Sequence, residues 1–126
     1  MNPPKAGHVL LVEDDDDLAE VLAAALVDAG YRIELAHNGL EALEAAEKAM
    51  PALVLLDMLM PVADGFEFAR RFDLRYGRAA PIVVMTASEN ARRLADEIAA
   101  DDVLAKPFGR ASLMNVVSRF VRTEQS

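Results

Sequence analysis

Short apolar runs alternate with longer amphipathic stretches along the whole chain, and that alternation leaves few folds open. Val9–Val12, Tyr31–Ala36, Ala52–Leu56, Ile82–Met85 and Val103–Ala105 are strand-length segments rich in Val, Ile, Leu and Ala. The stretches between them repeat apolar residues at helical spacing. Leu18, Val21, Leu22, Ala25, Leu26 and Ala29 form the first such stripe, and Gly30 supplies its stop. Asp15 to Asp17 are N-cap candidates, with Glu20 as a capping-box partner for Asp17. Asn38-Gly39 opens a second helix with Leu40, Leu43, Ala46 and Met50 on one face, ended by Pro51. A third starts at Gly65, buries Phe68, Ala69 and Phe72, and stops at Gly77; Asp64 is its cap candidate. A fourth starts after Ser88 and buries Leu94, Ala95 and Ile98. The last carries Leu113, Val116, Val117, Phe120 and Val121.

Strands alternating with helices imply βαβ units, a parallel sheet and right-handed crossovers that cover both faces. Only the second strand alternates polar and apolar residues, so it belongs at a sheet edge, and the fully apolar strands belong inside. The order 2-1-3-4-5 meets both conditions, giving a doubly wound (βα)5 α/β fold of the flavodoxin-like kind. That order reverses direction between strands one and three, and the crevice of such a sheet opens there, at the C-terminal ends of the strands.

The 126 residues suit one domain spanning 1–126, with an ordered core from about 7 to 122. A hydrophobic fraction of 53% is ample for a core. Cysteine is absent, which excludes disulfides and thiolate metal sites and fits a cytoplasmic location. No apolar run approaches the ~20 residues that cross a bilayer, and the start, Met1-Asn2-Pro3-Pro4-Lys5, lacks a signal-peptide core. A net charge of −8 disfavours nucleic-acid phosphates as a ligand.

The chemistry-bearing residues sit where the strands end. Asp57 closes Ala52–Leu56, and Glu13 and Asp14 close Val9–Val12. Thr86 follows Ile82–Met85, and Lys106, before Pro107, follows Val103–Ala105. On adjacent strands the three acids converge, and carboxylates that close repel one another and favour a cation. Mg²⁺ takes oxygen ligands from one or two carboxylates together with phosphate and water. A hydroxyl and an ammonium facing the acids suit the charge on a transferring phosphoryl group. The expected roles are Asp57 as nucleophile, Asp14 as a direct metal ligand, and Glu13 as a ligand directly or through water. Thr86 and Lys106 would bind the new phosphoryl group. Asp57 taken alone reads as a loop cap; four companions at matching strand ends argue for chemistry. His8 and His37 read as structural or surface residues.

With those residues in place the chain resembles a receiver domain of bacterial two-component response regulators, over nearly its full length. The resemblance is carried by Glu13-Asp14-Asp15, by Asp57-x-x-Met60-Pro61-x-x-Asp64-Gly65, by Thr86-Ala87 and by Lys106-Pro107-Phe108, in that order. It implies acceptance of a phosphoryl group onto Asp57 from the phosphohistidine of a sensor histidine kinase or histidine phosphotransfer protein. It also implies Mg²⁺, a main-chain carbonyl ligand from Leu59, and a cis Lys106-Pro107 bond. One departure stands out. Receivers usually carry an aromatic residue three positions before the lysine, and here that residue is Val103. The family couples phosphorylation to a Thr/Ser shift and an inward turn of the aromatic ring. Val103 has no ring to move.

Two other functions compete. A phosphorylation-independent interaction module of the same fold would bind its partner equally as wild type and as Asp57→Asn. An aspartyl-nucleophile phosphohydrolase would need a second acid two residues after Asp57, where Leu59 stands.

Overall fold

The computed structural model describes residues 4–58, 65–77, 79–87 and 89–123. Within them five parallel strands, β1 (Val9–Val12), β2 (Ile33–Ala36), β3 (Leu53–Asp57), β4 (Ile82–Thr86) and β5 (Asp102–Ala105), form one sheet in the order β2-β1-β3-β4-β5. Five helices alternate with them: α1 (Asp16–Asp28), α2 (Gly39–Lys48), α3 (Gly65–Tyr76), α4 (Ala91–Glu97) and α5 (Arg110–Ser118). The expected topology is the observed one.

The strands separate two apolar layers, because successive side chains point to opposite faces. Leu10, Val12, Val54, Leu56, Ile82 and Val84 meet Phe68 and Phe72 of α3 together with Ala42, Ala46 and Ala95 of α2 and α4. Val9, Leu11, Leu53, Leu55, Val83 and Met85 meet Leu22 and Leu26 of α1 and Leu113, Val116 and Val117 of α5. β1, β3 and β4 are buried throughout, whereas β2 is half-exposed at its edge.

Several local expectations shift. In α1 the buried residues are Ala19, Leu22 and Leu26, while Val21 is 65% exposed. In α2 the sheet takes Ala42 and Ala46, with Leu43 only partly buried, and Leu40 and Met50 face outward. In α1 the buried line runs through Ala19, Leu22 and Leu26, which leaves Val21 beside it outside, whereas α2 packs on its alanines and its larger side chains turn away. The α1 cap is Asp15, whose Oδ1 accepts from the Leu18 amide at 3.1 Å, so the Asp17–Glu20 box does not form. Asn38 caps α2 by accepting from the Glu41 amide at 2.9 Å, and the Glu41 carboxylate accepts from the His37 amide at 3.1 Å. That near-reciprocal pair ties the end of β2 to the start of α2. α5 ends at Ser118, and Val121 instead forms a parallel bridge with Lys5, which brings the first described residues against the last. His37 Nδ1 lies 3.2 Å from Asp16 Oδ1, both exposed, a carboxylate neighbour that sequence spacing did not reveal. The cap candidates Asp64 and Ser88 lie outside the described residues.

Candidate functional site

The strand ends meet as the topology requires. Val12 pairs with Leu56 in register, so Glu13 and Asp57 occupy the next positions on adjacent strands. The Glu13 amide continues the ladder by donating to Ala36 at 3.0 Å. Asp57 pairs in register with Met85, and Thr86 pairs with Ala105, one position before Lys106. The Lys106 amide donates to the Thr86 carbonyl at 2.8 Å, locking the last strand end to the fourth.

Glu13, Asp14 and Asp57 each offer a carboxylate oxygen, and the three oxygens lie within 4.8 Å of one another. Glu13 and Asp57 are buried; Asp14 stands exposed at the lip. The donor set fits a hard divalent cation: all oxygen, all anionic, and closed on one side by the sheet while open at Asp14. One ammonium faces them. Lys106 Nζ sits 3.0 Å from Glu13 Oε1 and 3.7 Å from Asp57 Oδ1. Three carboxylates this close repel one another, which favours a cation among them. Thr86 is buried at the end of β4.

All five side chains expected at the site, Glu13, Asp14, Asp57, Thr86 and Lys106, therefore lie at the C-terminal ends of the strands. The Lys106-Pro107 bond is cis, as the resemblance implied. Leu59, expected to offer its main-chain carbonyl, lies outside the described residues. Val103 is half-buried, paired in register with Val84, and packs against the core on the α2–α3–α4 side.

Three features escaped sequence reasoning. The first is the Glu13–Lys106 contact, formed between residues far apart in the chain. The second is the tight seat of Gly65, whose amide donates to the Met58 carbonyl at 3.4 Å. The third is an apolar groove of about 440 Å³ beside the pocket. It runs between Leu18, Val21 and Ala25 of α1 and Ala87, Pro107 and Phe108 of the loops after β4 and β5. The sequence carried no signal for it, since Val21 reads there as part of the apolar stripe of the first helix.

Comparison with known proteins points one way. The sequence model of the response regulator receiver domain matches residues 9–118. The response regulator MprA of Mycobacterium ulcerans is 40% identical over 109 residues, 85% of this chain and 47% of that protein. The transcriptional regulatory protein PcoR of Escherichia coli is 33% identical over 121 residues, 94% of this chain and 53% of that protein. The chain thus spans about half the length of these curated relatives. Among solved structures, the chemotaxis protein CheY4 of Vibrio cholerae superposes with a TM-score of 0.84 at 31% identity, covering 93% of this chain and all of that one. The receiver domain of a sensor histidine kinase from Pseudomonas aeruginosa, solved with a magnesium ion in its active-site cleft, gives 0.83 at 34% identity. It covers 92% of this chain and 98% of that one.

Proposed function

The chain belongs to the response regulator receiver domain family, the phosphoacceptor part of two-component signalling, and we propose on that premise that Asp57 takes the phosphoryl group. The observation that carries this reading is the convergence of three acids at a sheet mouth, two of them, Glu13 and Asp57, facing the Lys106 ammonium. In the transfer an Asp57 carboxylate oxygen attacks phosphorus, the O–P bond forms as the N–P bond of a phosphohistidine breaks, and the released imidazole takes up a proton. Lys106, already 3.7 Å from Asp57, moves a short way to meet the new anionic oxygens. Thr86, at the end of the neighbouring strand, offers a hydroxyl to the same group. Asp57, Asp14 and Glu13, with the Leu59 carbonyl, would hold Mg²⁺. When bound, that ion supplies charge neutralisation among the acids and polarises the phosphoryl oxygens.

The donor is a sensor histidine kinase or a histidine phosphotransfer protein. The apolar groove along α1, which Lys106 also lines, gives such a protein a contact face. Residues 1–126 act as one receiver unit that assists its own phosphorylation and dephosphorylation rather than turning over a separate substrate. Among the described residues no helix is long and apolar enough to cross a membrane. A cytoplasmic site of action is part of the proposed reading. Output passes from Thr86 to an unidentified partner or effector domain without an aromatic ring at position 103. This departure favours one second reading, binding that ignores phosphorylation. A partner held equally by wild type and Asp57→Asn would select that reading.

The test is direct. The protein incubated with acetyl phosphate and MgCl₂ gains one phosphoryl mass in its intact mass spectrum, and excess EDTA prevents the gain. An unchanged spectrum in the presence of MgCl₂ overturns the reading.

A further inference from the structure

The groove along α1 holds about 440 Å³, a volume within the range of small-molecule sites. Leu18, Leu22 and Ala25 of α1 line it together with Phe108 and Leu113. Of its lining residues only Lys106 and Arg110 carry charge, and both are engaged, Lys106 with Glu13 at 3.0 Å and Arg110 with Asp28 at 2.9 Å. The groove therefore favours an apolar occupant over a charged one. It is also continuous with the phosphoryl site. Ala87, which lines it, follows Thr86 directly, and Lys106, which lines it too, reaches to 3.7 Å from Asp57 Oδ1.

We propose that this groove is a leaving-group subsite, and that it selects acyl phosphates with short apolar acyl chains as small-molecule phosphoryl donors. The product at Asp57 is itself a mixed carboxylic–phosphoric anhydride. A donor with the same kind of bond exchanges one carboxylate for another at little cost, whereas an ordinary phosphate ester is too stable to drive the transfer. In the step an Asp57 carboxylate oxygen attacks phosphorus, and the new O–P bond forms as the O–P bond to the acyl oxygen breaks. The acyl carboxylate leaves with the electron pair, and no proton moves. In-line attack puts the leaving oxygen on the far side of phosphorus from Asp57, so the acyl chain stays out of the acid pocket. The apolar surface continuous with that pocket is the groove, and burying the chain there raises kcat/KM without altering the chemistry. This inference rests on Asp57 as phosphoacceptor and adds the class of small donor.

The test runs acetyl, propionyl and butyryl phosphate against the wild-type protein with MgCl₂, at concentrations where the rate is first order in donor. The three release carboxylates of nearly equal basicity, so intrinsic reactivity stays level along the series. The rate of phosphoryl mass gain should rise about threefold per added methylene, on the order of tenfold from acetyl to butyryl phosphate. Val21 lines the groove yet is 65% exposed, so it can be changed without disturbing the core. Val21→Ser should cut the butyryl-to-acetyl ratio to about threefold or less. Rates that stay level along the series while acetyl phosphate adds its phosphoryl group overturn the proposal and leave the groove to a protein donor. A ratio that Val21→Ser leaves intact overturns it too. No mass gain from any of the three overturns the phosphoacceptor reading as well. The chain-length series uses the native protein, so it decides the matter even where Val21→Ser folds poorly.

Discussion

Asp57→Asn should lose phosphoryl acceptance by a factor on the order of a thousand or more while keeping its fold. The two side chains have nearly the same shape, but the amide oxygen carries no charge and is a poor nucleophile towards phosphorus. Asp57 is buried at the end of β3, so no mobile carboxylate can reach into its place without unpairing a strand end. Asp14 is exposed and near enough to share a cation, yet it sits at the lip and not on the third strand. The substitution also removes one of three crowded carboxylates. Its thermal midpoint without metal should therefore be no lower than that of wild type, because like-charge repulsion falls and the Glu13–Lys106 pair remains. Stopped incorporation from acetyl phosphate with an undiminished melting temperature is the expected pair of results. Comparable labelling of wild type and Asp57→Asn would move the acceptor elsewhere.

Gly65→Ala should be the most damaging conservative change near the site, at about 3 kcal/mol of lost stability and on the order of 10 °C in melting temperature. A Cβ at position 65 would stand 2.7 Å from Met58 Sδ, 2.8 Å from Met58 Cα and 3.0 Å from the Asp57 carbonyl oxygen. Two of those three neighbours are backbone, so no rotamer change relieves the overlap. Either the start of α3 moves away from the sheet or the end of β3 moves, and the second displaces Asp57. Acceptance should therefore slow together with the loss of stability. Gly109→Ala is the matched control. It lies in open space with an ordinary φ of −91° at the N-cap of α5, where alanine is less favoured than glycine, so it should cost about 1 kcal/mol or less. Equal melting temperatures for the two variants would mean that the close approach at Gly65 does not matter.

These two positions show what the chain reveals and what it withholds. Asp57 is legible because a buried parallel strand is a continuous apolar run, and the first charged residue after it must lie at the mouth of the sheet. The same logic placed Glu13, Thr86 and Lys106. The edge position of β2 was legible from its alternation. Gly65 was legible only as a helix start, since its closeness to Met58 depends on how α3 docks. Val21 and Leu40 misled for a related reason. They satisfy helical spacing, but the core took Leu22 beside Val21 and Ala42 near Leu40, and helical period alone fixes a face only to within the width of one residue. The Glu13–Lys106 pair was hidden because the lengths of two side chains from opposite ends of the sequence decide it.

The account depends on a phosphoryl group residing on the carboxylate at the end of β3. Borohydride reduces an acyl phosphate to an alcohol, so protein treated first with acetyl phosphate and MgCl₂ should carry homoserine in place of aspartate. Peptide mass spectrometry should find that residue at position 57 and leave Asp14 and Glu13 intact. A reduced residue at position 13 or 14, or none in protein that has gained the phosphoryl mass, would contradict the account.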